Sequence, residues 1–407
     1  MTRSIEKVNR AVGRIRSLPY GIARTEAAEH EARRIEQEGP PECLAFALFT
    51  LVESYVWGGE GAKAYVPFRR SIRLWDTSPE LFDSGDRHDF FWSFKWMVTG
   101  LAEYPEIPAE QINATIADME RRFSVAGNGM DAVAYAAYRW ADHIGDSDLE
   151  LAFEAWRSTP RDDFSQCEAC ELGDQAVHHA SAGRLQEAVR LIESVPPTTR
   201  WCATEPADML VVLALAELEL GHGREAVSAH RRAVSALAST ESDMVSARGR
   251  RLELLARGGQ SELAFEALKE DGALVVRADS PLGRLQFQLS VLRALSAAPD
   301  LLERPVVIEG VPAATGAELL TWTSEQAHAL AAAFDERNGS DRLTAKVAEA
   351  LQTKPASVTL DLSVIDVSAA TTSLPVPTAT PLATPTPSPS QPAMPLQPAT
   401  PLQPATP

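Results

Sequence analysis

Three cysteines are the residues in this chain whose type and spacing could do chemistry. Cys167-Glu168-Ala169-Cys170 is a Cys-x-x-Cys, and Cys202 follows later in the chain. Thiols so placed hold zinc or another thiophilic metal, cycle between dithiol and disulfide, or fill tight helix contacts as small buried side chains. A thioredoxin-type redox motif belongs in a βαβ unit, and no such pattern surrounds this one. A fourth metal ligand is not evident. His178 and His179 lie two to three helical turns beyond the Cys-x-x-Cys, ~12 Å away by helical rise. That leaves Glu205, a water, or no fourth ligand. No cofactor is expected unless these residues hold zinc or another thiophilic metal. Cys43 opens an early apolar stretch and reads as core.

Other chemistry has no residues behind it. There is no GxSxG, HExxH, P-loop or GxGxxG, so the common nucleophile, metalloprotease and nucleotide signatures are missing. His88-Asp89 could be a catalytic pair, but Asp86 and Asp89 suit a helix N-terminal cap better. No catalytic residue is assigned, and an enzyme is not expected.

The elements that must position the cysteines are set by a recurring glycine. Gly145, Gly183, Gly221 and Gly258 follow one another at steps of 38, 38 and 37 in the numbering, and each separates two apolar-patterned stretches. Similar strings follow them: GRLQEAV from Gly183, GHGREAV from Gly221 and GGQSELAFEAL from Gly258, while ELAFEA occurs at both 150–155 and 262–267. Two helical patterns per period of this length predict stacked helical hairpins. Cys167 stands 16 before Gly183 in the numbering, and Cys202 stands 19 before Gly221. All three thiols therefore fall near the starts of equivalent, neighbouring helices, where the helix dipole favours thiolate.

The repeat positions resemble those of tetratricopeptide repeats. Gly183 with Ala188 and Gly221 with Ala226 match the family's helix-closing glycine and the alanine that begins the packed face of the second helix. Ala176 and Ala214, seven before each glycine, match its small residues, and the family's closing proline is missing from both copies. TPRDDFSQCEAC (159–170), Cys202 and FDERNGS (334–340) are similar to a group of actinobacterial tetratricopeptide-repeat proteins. The resemblance covers roughly residues 40–340. It implies an all-α fold, a right-handed α-solenoid of stacked hairpins, and binding of a partner polypeptide along the concave face.

The expected organisation is N-terminal capping helices over 1–40, the hairpin array over 41–300, further helices with a short extended segment over 301–366, and a tail over 367–407. SVTLDLSVIDV (357–367) alternates like a strand. Residues 371–407 hold 12 of the 28 prolines and 367–407 carry no charge. Such a tail is expected to be disordered, serving as a spacer or as a ligand for a proline-binding or cell-envelope partner. On the concave face, Asp208, Val211, Leu215 and Glu219 are expected to line a groove, and Trp92 and Trp96, four apart, either line it too or pack in the core. These are apolar and acidic residues, unlike a Lys/Asn clamp for a terminal carboxylate.

The net charge is −18 and belongs to the residues before 367. Such a surface repels phosphate backbones and anionic lipid, so nucleic acid and membrane partners are not expected, and a basic protein or peptide is favoured. No run of 18 apolar residues occurs, and the N-terminus lacks the apolar core of a secretory signal, so a cytoplasmic protein is expected. The two readings are a protein-interaction scaffold and a metal- or redox-responsive regulator built on Cys167, Cys170 and Cys202.

Overall fold

The computed structural model describes residues 3–196, 202, 204–240 and 243–363. They form eighteen α-helices: α1 (Ile5–Arg16), α2 (Ile22–Glu38), α3 (Leu44–Trp57), α4 (Gly61–Thr77), α5 (Ser84–Leu101), α6 (Ala109–Ala126), α7 (Met130–Ile144), α8 (Leu149–Ser158), α9 (Glu168–Ser181), α10 (Leu185–Glu193), α11 (Ala207–Glu219), α12 (Gly223–Leu237), α13 (Val245–Arg257), α14 (Ser261–Asp271), α15 (Leu274–Arg277), α16 (Pro281–Ala297), α17 (Gly316–Asn338) and α18 (Arg342–Ala350). The chain is all-α, as the apolar periodicity predicts. Among the described residues the β structure amounts to one isolated bridge, between Pro305 and Thr315. The expectations for 367–407 lie outside the described residues.

Helices pair with their sequence neighbours: α3 with α4, α7 with α8, α9 with α10, α11 with α12, α13 with α14. The first helices of successive pairs also meet, α9 against α11, α11 against α13, and α13 against α16. Composition follows position. α11 is buried on nearly every side, from Met209 to Leu218, because it is packed between α9, α12 and α13. α12 buries one stripe, Ala226, Ala229, His230, Ala233 and Leu237, at the three- and four-residue spacing of a helix with one face on a core. Ala188, Ala226 and Ala264, at equivalent positions of the second helices, are all fully buried.

The turn glycines correct the sequence reading by one position. Gly145, Gly183, Gly221 and Gly259 have φ near +74°, +75°, +82° and +73°, whereas Gly258 has φ −81°. The left-handed residue that ends the first helix of each pair therefore recurs at an unvarying interval, from Gly145 through Gly183 and Gly221 to Gly259.

Two long-range features follow. Residues 364–367 of the segment expected to be strand-like lie outside the described residues; 354–363 run without regular structure across the turns of the α11–α12 and α13–α14 pairs. Ala356 N donates to Arg257 O (2.8 Å), Leu360 N to Gly258 O (2.9 Å), Gln260 Nε2 to Leu360 O (2.6 Å) and Arg231 Nη2 to Leu362 O (2.7 Å). Leu360 is only 1% exposed and lies in the core beneath Gly258. The second feature returns the C-terminal helices to α5–α7. Arg337, near the end of α17, donates to the carbonyls of Ala102, Tyr104 and Ile107 at 3.1–3.2 Å and lies 2.6 Å from His143 Nε2. Arg342 pairs with Asp142 at 2.7 Å, and Leu282 N donates to Glu103 O. The order of packing α7, α9, α11, α13, α16, α17 thus comes back to α7. Across residue 300, α17 packs on α16.

Candidate metal centre

The loop before α9 explains why the Cys-x-x-Cys lies where it does. Asp162 organises it: its carboxylate accepts from Gly129 N and from Phe164 N, and its own N–H donates to Ser165 Oγ (2.9 Å). Phe164 inserts among His88, Phe91 and Phe123. From α5, the buried Lys95 donates to Ser165 O (3.0 Å) and stands 3.1 Å from the Trp92 ring centroid. The loop is thereby fixed on two sides before the chain reaches Cys167.

Cys167 is the N-cap of α9, and its sulfur accepts from Cys170 N at 3.2 Å. Sulfur takes the place here that a serine or aspartate oxygen usually fills. Cys170, one turn on, has its Sγ 2.9 Å from Cys167 Sγ and 3.2 Å from Cys202 Sγ. Cys202 lies in the approach to α11, further from its helix than the first two thiols are from theirs. All three sulfurs are within 4.8 Å of one another, so the convergence expected from the repeat register is present.

None of the three is in a disulfide, and one side of the group is open: Cys202 is exposed and the other two are half-buried. Thiols this close share protons. The S–H groups of Cys167 and Cys170 hydrogen-bond Cys202 and push its pKa down, helped by Thr204, whose hydroxyl lies 3.4 Å from Cys202 Sγ. The Cys170 pKa is pushed up because its proton is held by the sulfurs on both sides. A tetrahedral zinc with Zn–S near 2.3 Å separates its sulfurs by about 3.8 Å, so binding would open these contacts by less than about 1 Å.

Among the described residues no histidine, aspartate, glutamate or fourth cysteine joins the group. Cys43 is buried in the N-terminal core. His178 stacks on Phe153 at 3.7 Å and faces Glu150 and Arg184, and His179 accepts from Arg184 Nε, so both belong to the α8–α10 contact. Glu205 also has another task. It is buried, its carboxylate accepts from Met209 N (3.0 Å), and it passes so close to Gly173 that a Cβ there would lie 2.5 Å from Oε1. Burial, with Asp208 next, raises its pKa to about 9.

Lys95 is a residue the sequence reading passed over. Its pKa falls to about 7 because burial outweighs the attraction of Asp131, Cys167 and Cys170. The available signal was a lone lysine inside the aromatic run HDFFWSFKWM. A buried cation beside two thiols offsets part of the charge they gain on ionising.

Of the residues expected to line a groove, Val211 is buried, Trp92, Trp96, Asp208 and Leu215 are half-buried, and Glu219 is exposed. Val211 is buried in the core. Asp208 pairs with Arg250 (2.8 Å) and Glu219 with Arg257, each on the next first helix, so both acids join neighbouring repeats. Leu215 packs at the edge of the same core. Trp96 contacts Phe49 and Trp57, and Trp92 stacks on His88 beneath Lys95. At α5 the cap is a box of Asp83 with Asp86, and Asp89 lies inside the helix beside His88 and Arg16.

Among the described residues no helix is long and apolar enough to cross a membrane. No family model matches this chain, and neither the curated proteins nor the solved structures include a similar one.

Proposed function

We propose that this protein is a metal- or redox-responsive regulator, in which Cys167, Cys170 and Cys202 capture a thiophilic ion or undergo oxidation. One observation carries the reading. Three sulfurs from two successive helical pairs meet within a single 4.8 Å group, while the fourth cysteine is elsewhere. Thiols from separate repeats meet only if both helix starts are held in register, so an ion bound there would clamp α9 to α11. Zinc is one ion the three sulfurs would hold, with a water in its fourth position and Lys95 offsetting thiolate charge. The buried arrangement of Lys95 and the loop anchored by Phe164 act as the layer that orients the thiols. No catalysis is assigned, and a reducing compartment such as the cytoplasm is the setting in which such thiols stay free.

A protein-interaction scaffold is the second reading, supported by the even recurrence of left-handed glycines and the buried alanines five residues after Gly183, Gly221 and Gly259. In that reading the chain is a right-handed solenoid of the tetratricopeptide-repeat kind that takes a basic protein partner. The two are compatible if the ion sets the repeat geometry a partner meets.

The test is metal analysis and thiol counting on protein purified reductively without added zinc. About one equivalent of zinc, three thiols protected until a chelator is added, and loss of both in Cys170→Ser support the metal arm. Metal-free protein that forms a reversible disulfide among these cysteines supports the redox arm. Metal-free protein whose cysteines stay reduced and react independently would overturn the proposal.

A further inference from the structure

We infer that the three-cysteine group takes a trivalent pnictogen hydroxide, arsenite or antimonite, in preference to a tetrahedral divalent metal. The inference rests on the thiol-site reading above and names its ligand class.

The first argument is donor number. Zinc completes a tetrahedron and needs a fourth donor. Here three sulfurs converge, and among the described residues no other histidine, cysteine, aspartate or glutamate joins them. Glu205 is committed to Met209 N, and His178 and His179 to Arg184. Arsenic(III) and antimony(III) bond to three sulfurs and direct a lone pair along the fourth direction, so three thiols satisfy them completely.

The second argument is spacing. The two sulfur contacts of Cys170, 2.9 and 3.2 Å, are tighter than the roughly 3.8 Å of a tetrahedral zinc site, and the third pair lies within 4.8 Å. A pyramidal centre has narrower S–X–S angles and needs less opening.

The third argument is charge. Zinc with three thiolates leaves one net negative charge. Among the described residues the neighbouring arginines are engaged, Arg161 with Glu171, Arg139 with Asp174 and Arg250 with Asp208, and Lys95 is the remaining cation. The chain as a whole stands at −18. The pnictogen product is neutral. Arsenious acid, As(OH)3, exchanges three As–O bonds for three As–S bonds, and each thiol proton leaves with a hydroxide as water. Three waters are released, nothing is oxidised or reduced, and no charge accumulates.

The experiment titrates the reduced full-length chain with sodium arsenite, following the sulfur-to-arsenic charge-transfer absorption, and then adds arsenite to zinc-loaded protein with a zinc-indicator dye present. The expected result is one equivalent of arsenite bound, release of zinc, and three sulfur neighbours in the arsenic absorption-edge spectrum. Cys167→Ser, Cys170→Ser and Cys202→Ser should each weaken binding at least ~10-fold, with Cys43→Ser unchanged and circular dichroism confirming that each variant folds. Zinc retained in excess arsenite overturns the inference and leaves the thiol-site reading standing. Undiminished arsenite binding by Cys202→Ser also overturns it, because two thiols would then suffice. Binding of neither ion overturns the inference together with the metal arm of the proposal.

Discussion

Leu360→Ala is the sharpest probe of how the C-terminal segment is held. Leu360 is 1% exposed, and its side chain lies where a Cβ on Gly258 would be, 2.5 Å from Leu360 Cγ and Cδ1. Removing three buried carbons from a rigid core costs about 2–5 kcal/mol, depending on how far the site relaxes. This leucine, however, belongs to a segment tied down by four hydrogen bonds to Arg231, Arg257, Gly258 and Gln260. At a net worth of roughly 1 kcal/mol each, those bonds and the leucine contribute about 6–9 kcal/mol, and the entropy lost in ordering the segment offsets much of it, leaving a docking energy of only a few kcal/mol. Once the substitution consumes most of that, the segment detaches and the loss stops there. The expected result is a destabilisation of about 2–4 kcal/mol by urea unfolding, with new protease cleavage confined to residues 354–363 under native conditions. A matched Leu210→Ala in α11 should cost as much without exposing that segment, since Leu210 is buried in the middle of its helix. Wild-type stability with unchanged cleavage in Leu360→Ala would refute the reasoning. Equal cleavage throughout the chain would show that the segment is not a separate unit.

Four further outcomes are expected. Ala214→Arg places a guanidinium in a fully buried site of α11 and should lower stability by at least about 3 kcal/mol, measured by denaturant unfolding. If zinc is bound, a chelator should lower the melting temperature of the parent protein, by the equivalent of about 2.7 kcal/mol at a free-metal level 100-fold above Kd, and leave Cys170→Ser unmoved. His143 is held down to about 3, by burial first and Arg337 next. Below pH 6.5 the unfolded chain therefore takes up a proton that the folded chain refuses, so stability falls as pH drops from about 6.5 toward 3, and His143→Gln should flatten that part of the profile. Gly259→Ala forces a side chain into φ +73° against Thr359 and should cost about 1–2 kcal/mol, whereas Gly183→Ala, with open space around it, should cost only the backbone strain.

The helices were legible because their signal is local. Gly221 was expected to separate two apolar-patterned stretches, and it stands between Ala207–Glu219 and Gly223–Leu237, since apolar periodicity and a glycine suffice to place such elements. The choice between Gly258 and Gly259 was not legible, because two adjacent glycines look alike until one adopts positive φ. The cysteine group was legible by counting within the repeat, because register carries equivalent positions to the same end of neighbouring helices. The ion pairs between first helices also had a signal: Asp208 has Arg250 and Glu219 has Arg257 further along the chain, opposite charges about one repeat apart. The return of α17 to α5–α7 gave no such signal. Arg337 is bound mainly by backbone carbonyls, and every residue has one, so no letter in the sequence marks an acceptor.

That return changes how the chain should come apart. A linear repeat array behaves as a row of nearest neighbours, in which the end units fray first and folding can spread from any point. Here contacts such as Arg337 with the Ala102 and Tyr104 carbonyls span 235 and 233 residues, joining the late end of the row to an early member. A row joined in this way behaves as a hoop. No unit between α7 and α17 has a free side, so the first break must sacrifice two interfaces. Closing so long a loop also comes late and slowly, after the local pairs have formed. Unfolding should therefore be more abrupt than for an open array of equal length, and Arg337→Met should restore a shallow, stepwise transition.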